Sequence, residues 1–298
     1  MKITNKHNLP KAIYNAITRN SYEPKPNRYG ATTLLLPPQE IVLREKLRDQ
    51  MTADVSDMLN LLFGTAVHDY LEKYDDGDFV EHYASVDLGN GFTVSGKIDK
   101  YDAENFTVID YKTARVNTIV YDNFDDWKKQ GLIYAWLLMQ QGHLVTDIKF
   151  YALLKDWSQY AYKNAYYRDE FYPPSGVYEY HYKIQPGDLD DIEMYIREKI
   201  IQIKKMKHMT VSKILEIPLE GDFAPVIKFA VRKPGSKRAL KICDTRKEAE
   251  MIAKVHGAEV YEQEEKNFKF DMMCPAIQHA KRVENFEKEL DETWESPF

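Results

Sequence analysis

Two aspartates and a lysine with the spacing of a catalytic site lie between residues 95 and 113. Asp99 ends the run Ser-Gly-Lys-Ile-Asp at residues 95–99, and Asp110 begins an Asp-Tyr-Lys triplet that ends at Lys112. Apolar and β-branched residues flank each acid, and a turn at 103–105 separates the two runs, which predicts a β-hairpin. Side chains alternate along a strand, so Asp110 and Lys112 share one face. Two carboxylates and an ammonium at one end of a sheet suit phosphodiester hydrolysis with a divalent metal.

A histidine upstream of the hairpin extends this set of polar groups. His68 lies in an apolar stretch with helical spacing, and Gly64 lies one turn earlier on the same face, where we expect the missing side chain to allow close approach. A neutral imidazole is a good ligand for Mn²⁺ and a poorer one for Mg²⁺. Taken singly, the hairpin also fits a surface salt bridge, and the histidine also fits ordinary packing.

The helix predicted after the hairpin presents an amide, a phenol and an indole on one face. Gln130 and Tyr134 are four residues apart, and Trp127 lies one turn earlier. This face could contact a nucleic acid strand, and it also fits ordinary helix packing. The chain contains 21 tyrosines, which offer stacking surfaces for bases, although core packing is the commoner role of a tyrosine.

The hydrophobic pattern predicts the elements around these residues. Three strands at 79–86, 92–99 and 106–112 precede a helix at 124–141 and a strand at 147–154. A strand, a helix and a second strand at this spacing indicate a crossover, so the sheet is predicted to be mixed. Further helices are predicted at 39–49, 52–74 and 188–206.

Residues 216–271 are predicted to form a small α/β lobe. The pattern gives strands at 226–231, 239–243 and 260–264, and a helix that begins with a capping box at Thr245 and ends at Gly257. A basic turn joins the first two strands. Its four cations could contact a DNA backbone, or the turn could simply be solvated; they are Arg232, Lys233, Lys237 and Arg238.

The composition limits where in the cell the protein can be expected and how it could bind DNA. The 298 residues carry a formal net charge of −6, so any contact with DNA has to come from local basic patches. We expect no membrane contact and a cytoplasmic location, because the chain contains neither an apolar stretch of spanning length nor a signal-peptide pattern.

The ordered series of short motifs resembles a known family. The series reads Gly64-x-x-x-His68, Gly96-Lys97-Ile98-Asp99, Asp110-Tyr111-Lys112 and Gln130-x-x-x-Tyr134. It is similar to the motif series of RecB-like nucleases in the PD-(D/E)XK superfamily, which include phage and CRISPR-associated exonucleases. Each motif is short, and the order of the four over roughly residues 50–155 is what makes the resemblance specific.

The resemblance implies a function, a fold and a set of site residues. His68, Asp99, Asp110 and the main-chain carbonyl of Tyr111 would bind one or two Mg²⁺ or Mn²⁺ ions, and Lys112 would be the catalytic lysine. Gln130 and Tyr134 would match the motif that contacts DNA near the active site. The fold would be a restriction-endonuclease-like α/β core, with a central mixed sheet flanked by helices.

Many relatives also carry four cysteines that bind an iron–sulfur cluster, and here the sequence departs from them. The chain contains only Cys243 and Cys274. Because such a cluster needs four ligands, we expect none, and we expect packing of the N- and C-terminal helices to replace its structural role.

These inferences predict three regions and leave three functions open. The regions are a nuclease core at 1–215, the lobe at 216–271, and a C-terminal helix at 272–298 that packs back on the core. The first function is a metal-dependent DNA exonuclease that acts on free ends in bacterial or phage recombination, repair or end processing. It would work with a separate helicase or recombinase, since the chain has no P-loop motif. The alternatives are a catalytically idle DNA-binding or scaffolding protein on the same fold, and a hydrolase of another phosphoester.

Overall fold

A computed structural model describes residues 1–18, 25–74, 79–89 and 91–294. The chain forms two compact units. The first consists of Met1–Leu35 and Arg48–Lys205, and the second of Leu36–Leu47 and Met206–Phe298. The first unit contains all the residues of the predicted metal site.

The strands fall into a central sheet, a short parallel pair and the sheet of the second unit. They are β1 Lys2–Thr4, β2 Arg28–Gly30, β3 Thr52–Asp54, β4 Val80–Asp87, β5 Thr93–Asp102, β6 Thr107–Ala114, β7 Asp147–Leu154, β8 Val177–Lys183, β9 Val226–Arg232, β10 Ala239–Cys243 and β11 Glu259–Glu265.

The helices range from single turns to 20 residues. They are α1 Lys11–Thr18, α2 Ala31–Leu34, α3 Pro38–Lys46, α4 Leu59–Glu72, α5 Val116–Val120, α6 Asp125–Gln140, α7 Gln159–Tyr167, α8 Asp188–Lys207, α9 Val211–Leu215, α10 Arg246–His256, α11 Phe268–Met273 and α12 Pro275–Trp294. Among the described residues, none of these helices has the length and apolar character needed to cross a membrane.

The central sheet is mixed, as predicted, and runs in the order β2-β5-β6-β7-β8 with β4 paired to β5. The β5–β6 and β7–β8 pairs are antiparallel, whereas β6 and β7 are parallel. Helix α6 packs against β4, β5, β6 and β7, and α4 packs against β6. The predicted α/β fold with helices flanking a central mixed sheet is therefore confirmed.

Strand β5 has an unusual division of its two edges. β4 pairs with it from Thr93 to Lys100 and so occupies one edge. The other edge is shared, because β2 pairs at Thr93–Ser95 and β6 pairs only at Lys100–Asp102. Residues 96–99 lie between these two short ladders, so the sheet opens beside Asp99.

Helix α6 lies close to the sheet because of a glycine. A Cβ atom on Gly131 would lie 2.5 Å from Ile148 Cγ2 and 3.1 Å from Phe150 Cζ. Both of these side chains on β7 are fully buried, which leaves them little room to move. Gly131 therefore sets the distance between the sheet and the helix that carries Gln130 and Tyr134.

The structure confirms the predicted hairpin and the strand at Asp147–Leu154, and it corrects the helix predicted at 52–74. Residues Thr52–Asp54 form β3, which pairs in parallel with β1, and a 3₁₀ turn at Val55–Met58 precedes α4. Asp54 explains the early break, because its carboxylate accepts hydrogen bonds from Lys6 N and Ser56 N and so caps the turn.

In the second unit, a three-stranded antiparallel sheet in the order β10-β9-β11 packs against α10. The three predicted strands and the N-cap at Thr245 are confirmed: Thr245 Oγ1 accepts from Glu248 N at 3.3 Å, and Gly257 ends the helix at φ 57°. In the part of the chain that the structure describes, the reciprocal half of the capping box is not seen, since the Glu248 carboxylate accepts from Lys241 Nζ at 2.7 Å. The buried residues of this core are Val231, Cys243, Ala249 and Ala253.

A buried carboxylate joins the N- and C-terminal segments of the second unit. Glu40 on α3 is fully buried and accepts hydrogen bonds from Ala276 N at 3.1 Å and Ile277 N at 2.9 Å, in the first turn of α12. Arg44 Nε donates to the same carboxylate at 2.6 Å. Glu40 thus satisfies main-chain donors that a helix start leaves without intrahelical partners.

The observed units differ from the predicted regions at three places. Helix α3 and residues 206–215 belong with the lobe, because Gln39 Nε2 donates to Pro218 O at 3.1 Å. The C-terminal helix α12, expected to pack on the core, belongs to the same unit as the lobe and packs on α3 and α9. These contacts join residues that are far apart in sequence, and hydrophobic periodicity carries no information about them.

Replacing Gly131 by alanine should lower the free energy of unfolding by about 1–3 kcal/mol, because the added methyl group overpacks a rigid contact. Gly64, also in a helix, is the matched control. Its Cβ would only touch Thr113 Oγ1 at 3.8 Å, so Gly64→Ala should leave stability unchanged or raise it by up to about 1 kcal/mol. Urea unfolding followed by tryptophan fluorescence measures both, and equal effects of the two substitutions would contradict the packing argument.

Candidate metal-dependent nuclease site

Asp99 lies where strands β5 and β6 separate. Their register ends at Lys100↔Ile109, so Asp99 and Asp110 are the next residues to face each other. The ladder does not continue to this pair, and the Asp99 carboxylate accepts a hydrogen bond from Tyr111 N at 2.8 Å. The Asp99 side chain is thus bound to the main chain of β6, and this hydrogen bond holds it beside Asp110.

Asp110 is a buried acid whose partner lies two residues further along the same strand. It is 2% exposed, and its Oδ2 atom lies 2.7 Å from Lys112 Nζ. Within the described structure this buried oxygen has the Lys112 ammonium as an ion-pair partner but no hydrogen-bond donor of regular geometry. Burial raises the pKa of Asp110, and the positive charge of Lys112 acts in the opposite direction.

His68 reaches this pair from helix α4. Its Nδ1 atom lies 3.1 Å from Asp99 Oδ1, and both side chains are mostly buried. The hydrogen bond with Asp99 raises the pKa of His68, and Asp110 raises it further through its charge. The predicted histidine, two acids and lysine are therefore brought together in one electrostatically coupled group.

Gln130 and Tyr134 lie behind the lysine. Gln130 Oε1 accepts from Lys112 Nζ at 2.9 Å, and Gln130 Nε2 donates to the Tyr134 hydroxyl at 2.7 Å. Both residues are buried, and burial raises the pKa of Tyr134. In this arrangement they fix the position of Lys112, and their contact with DNA stays a prediction.

Gly96 makes room for this chain of hydrogen bonds. A Cβ atom at Gly96 would lie 2.7 Å from Tyr134 Cε1 and 2.9 Å from Tyr134 Cδ1, distances that would force the ring to move. A glycine inside a strand pattern often marks such a close approach, so the sequence contained a signal for this role. Gly64 does not play the part expected of it, since a Cβ there would make only ordinary contact.

The remaining predicted DNA-binding residues lie in different surroundings. Trp127 is half-buried and packs on Phe124 and Phe150, with ring centroids 5.3 Å and 5.7 Å away. Arg232 lies in β9 rather than in the basic turn, and its guanidinium donates to Gln263 Oε1 at 2.8 Å. Three exposed cations occupy the turn itself: Lys233, Lys237 and Arg238.

A second Asp-x-Lys sequence occurs on the neighbouring strand, and comparing the two shows how burial changes the properties of the same motif. Asp147 and Lys149 begin β7, at the end of the sheet opposite Lys112. Asp147 pairs with His181 at 2.7 Å, and a hydrogen bond from Thr146 is the main cause that lowers its pKa. The same spacing in a more exposed place thus gives ordinary ion pairs, whereas Asp110 is buried with a raised pKa.

The donor set fits a divalent cation by its chemistry. Carboxylate oxygens and a neutral imidazole suit Mg²⁺ and Mn²⁺, and the buried Asp110 Oδ2 atom lacks a hydrogen-bond donor. Within the described ranges, however, no three His, Cys, Asp or Glu side chains already stand in a metal-binding cluster. Binding would require the His68–Asp99 and Asp110–Lys112 pairs to adjust.

Comparison with known proteins identifies a family. The PD-(D/E)XK nuclease superfamily matches residues 33–212, which is more than half of the chain. A solved structure titled "Crystal structure of SSO0001" is 17% identical with a TM-score of 0.45, over 63% of this chain and 83% of that chain; at this level it carries no argument. No curated protein matches the chain.

In the metal-free protein, His68 should titrate above its ordinary pKa of 6.5, because Asp99 stabilises the imidazolium. A raised folded-state pKa means that this pair stabilises the fold at low pH, and that the contribution is lost as the pH rises through that pKa. Asp99→Asn should lower the pKa of His68. NMR titration, with the His68 signal assigned from His68→Gln, measures this shift. If the pKa of His68 were 6.5 or lower and Asp99→Asn left it unchanged, the His68–Asp99 pair would be shown not to form.

Proposed function

Since the chain belongs to the PD-(D/E)XK nuclease superfamily, we propose that it is a divalent-metal-dependent deoxyribonuclease that digests DNA from free ends. The observation that carries the proposal is the buried Asp110 carboxylate, paired with the partly buried Lys112, beside the Asp99–His68 pair. A charge-coupled cluster built around a buried acid costs stability and is typical of functional sites.

Nucleases of this superfamily generally use divalent metals such as Mg²⁺. Here Asp99, Asp110 and His68 would hold the ion, with the main-chain carbonyl of Tyr111. When bound, such an ion lowers the pKa of a water and neutralises charge on a phosphate. No iron–sulfur cluster is proposed, because the chain has two cysteines.

The protein's own contribution is the fixed position of Lys112. Its ammonium lies between Asp110 Oδ2 at 2.7 Å and Gln130 Oε1 at 2.9 Å, and the same nitrogen lies 5.6 Å from the centroid of the Phe150 ring. A preorganised cation stabilises the negative charge that develops on the phosphate in the transition state, without first having to reorganise. Lys112 is therefore the proposed catalytic lysine, and Gln130 is a positioning residue.

The RecB-like assignment is part of the proposal and rests on the order of the four motifs. It favours an exonuclease in phage or bacterial recombination, repair or end processing, with any helicase or recombinase supplied by another protein. The alternative is an idle DNA-binding or scaffolding protein, and the lack of a preformed three-ligand cluster among the described residues favours it.

Asp110→Asn and Lys112→Ala should each reduce cleavage of end-labelled linear DNA by at least about 100-fold, because each removes a group that acts on the phosphate or its metal. The matched controls are Asp147→Asn and Lys149→Ala, which change the same sequence pattern on β7 and should leave cleavage unchanged. The assay uses linear and closed circular DNA with Mg²⁺, Mn²⁺ or chelator.

Two results of this assay would contradict the proposal. Binding without cleavage in either metal would support the idle alternative. Cleavage of closed circles as fast as linear DNA would exclude an exonuclease and leave only the wider nuclease assignment.

A further inference from the structure

Helix α7 exposes an unusual set of side chains. Tyr160, Tyr166 and Tyr167 are 78%, 74% and 83% exposed, and we call them the tyrosine face. Tyr160, Lys163 and Tyr167 follow the i, i+3, i+7 spacing of one side of a helix. On the other side, Ala165 is buried. The exposed side of a surface helix normally carries charged residues, so three aromatic rings there call for an explanation.

The loop that leads into α7 is attached to both elements of the proposed site. Lys155 N donates to Ala114 O at 3.0 Å, at the end of the strand that carries Lys112. Lys155 Nζ donates to Asn60 Oδ1 at 2.8 Å, on the helix that carries His68. Asp156 accepts from Val116 N at 2.8 Å. The tyrosine face therefore begins beside the end of β6.

The distance from the site is short. Leu154 pairs with Ala114, and four residues separate Leu154 from the first residue of α7. An extended chain spans at most about 3.5 Å per residue, so α7 begins no more than roughly 18 Å from Leu154. Paired strands lie about 5 Å apart, so the upper bound from Ala114 is roughly 23 Å. A DNA strand held at Lys112 could reach the tyrosine face within a few nucleotides.

We propose that the tyrosine face is a stacking surface for the bases of single-stranded DNA that leads into the nuclease site. Aromatic rings bind single strands because every base has a free π-face there, whereas the bases of a duplex are stacked on one another. This inference rests on the proposed function, because it takes the strand to lead into a nuclease site. It adds that the DNA is bound there as a single strand.

The charges around the helix are compatible with a DNA strand. Helix α7 contains one charged residue, Lys163, which is exposed between the tyrosines, and Arg168 follows the helix. The acids that flank the helix in sequence are Asp169 and Glu170, which follow it, and Asp156, whose carboxylate accepts from Val116 N at the start of α5. Tyrosine-rich surfaces also bind proteins. The position beside the site of a nuclease-superfamily chain favours a nucleic acid.

Fluorescence anisotropy of the full chain in chelator tests the inference without requiring cleavage. The probes are a labelled thymidine oligonucleotide and a labelled blunt hairpin duplex. Replacing all three tyrosines by alanine should weaken binding of the oligonucleotide by at least about tenfold, with a much smaller effect on the duplex. Replacing all three by phenylalanine keeps the rings and should keep the affinity.

The control is Phe268→Ala, an equally exposed aromatic residue of the second unit at 75%, which should change nothing. Unchanged binding in the triple alanine variant, equal losses for both probes, or failure of the phenylalanine variant would overturn the inference. A chain that cleaves no DNA but binds single strands through the tyrosines would overturn the proposed nuclease activity and leave this inference standing.

Discussion

The site depends on one feature of the central sheet: the hydrogen-bond ladder between β5 and β6 ends after three residue pairs. One edge of β5 is taken by β4, and the other edge is divided between β2 and β6. The main chain of β6 therefore offers Tyr111 N to a side chain, and Asp99 accepts it at 2.8 Å. Full pairing of the hairpin would have used this donor in the ladder and left Asp99 without its fixed position.

A buried charge is the second consequence of this geometry. Asp110 lies at the opening with Lys112 as its ion-pair partner, and an isolated buried carboxylate would be strongly destabilising. The structure compensates by fixing the lysine, through Gln130 and then Tyr134. Gly96 leaves the room that the Tyr134 ring needs. Residues of three secondary-structure elements, β5, β6 and α6, thus depend on one another, and a change at any of them should affect the position of Lys112.

The local parts of this arrangement could be predicted from the sequence. Alternating apolar residues on either side of a short turn give the hairpin, and the run Asp147–Leu154 gives β7 with its observed bounds. The site could be predicted because its residues come in short motifs at a fixed order, with two of them two positions apart on one strand.

The parts that depend on distant contacts could not be predicted. Thr52–Asp54 has a helical pattern but pairs with Lys2–Thr4. Strand β8 is a different case, because Tyr178, Tyr180 and Tyr182 alternate with polar or charged residues; this period of two indicates a strand, although β8 is absent from the predicted strands. The spacing alone does not separate Asp110-x-Lys112 from Asp147-x-Lys149. Burial separates them, and burial is a property of the folded sheet.

The most direct test of the account is whether the acids at the opening of the sheet bind a divalent cation. Isothermal titration of Mn²⁺ into the protein without DNA measures this. The account predicts binding that is lost in Asp99→Asn and in Asp110→Asn and is kept in Asp147→Asn. Absence of Mn²⁺ binding to the unaltered chain, or equal binding by Asp110→Asn, would contradict the assignment of this site.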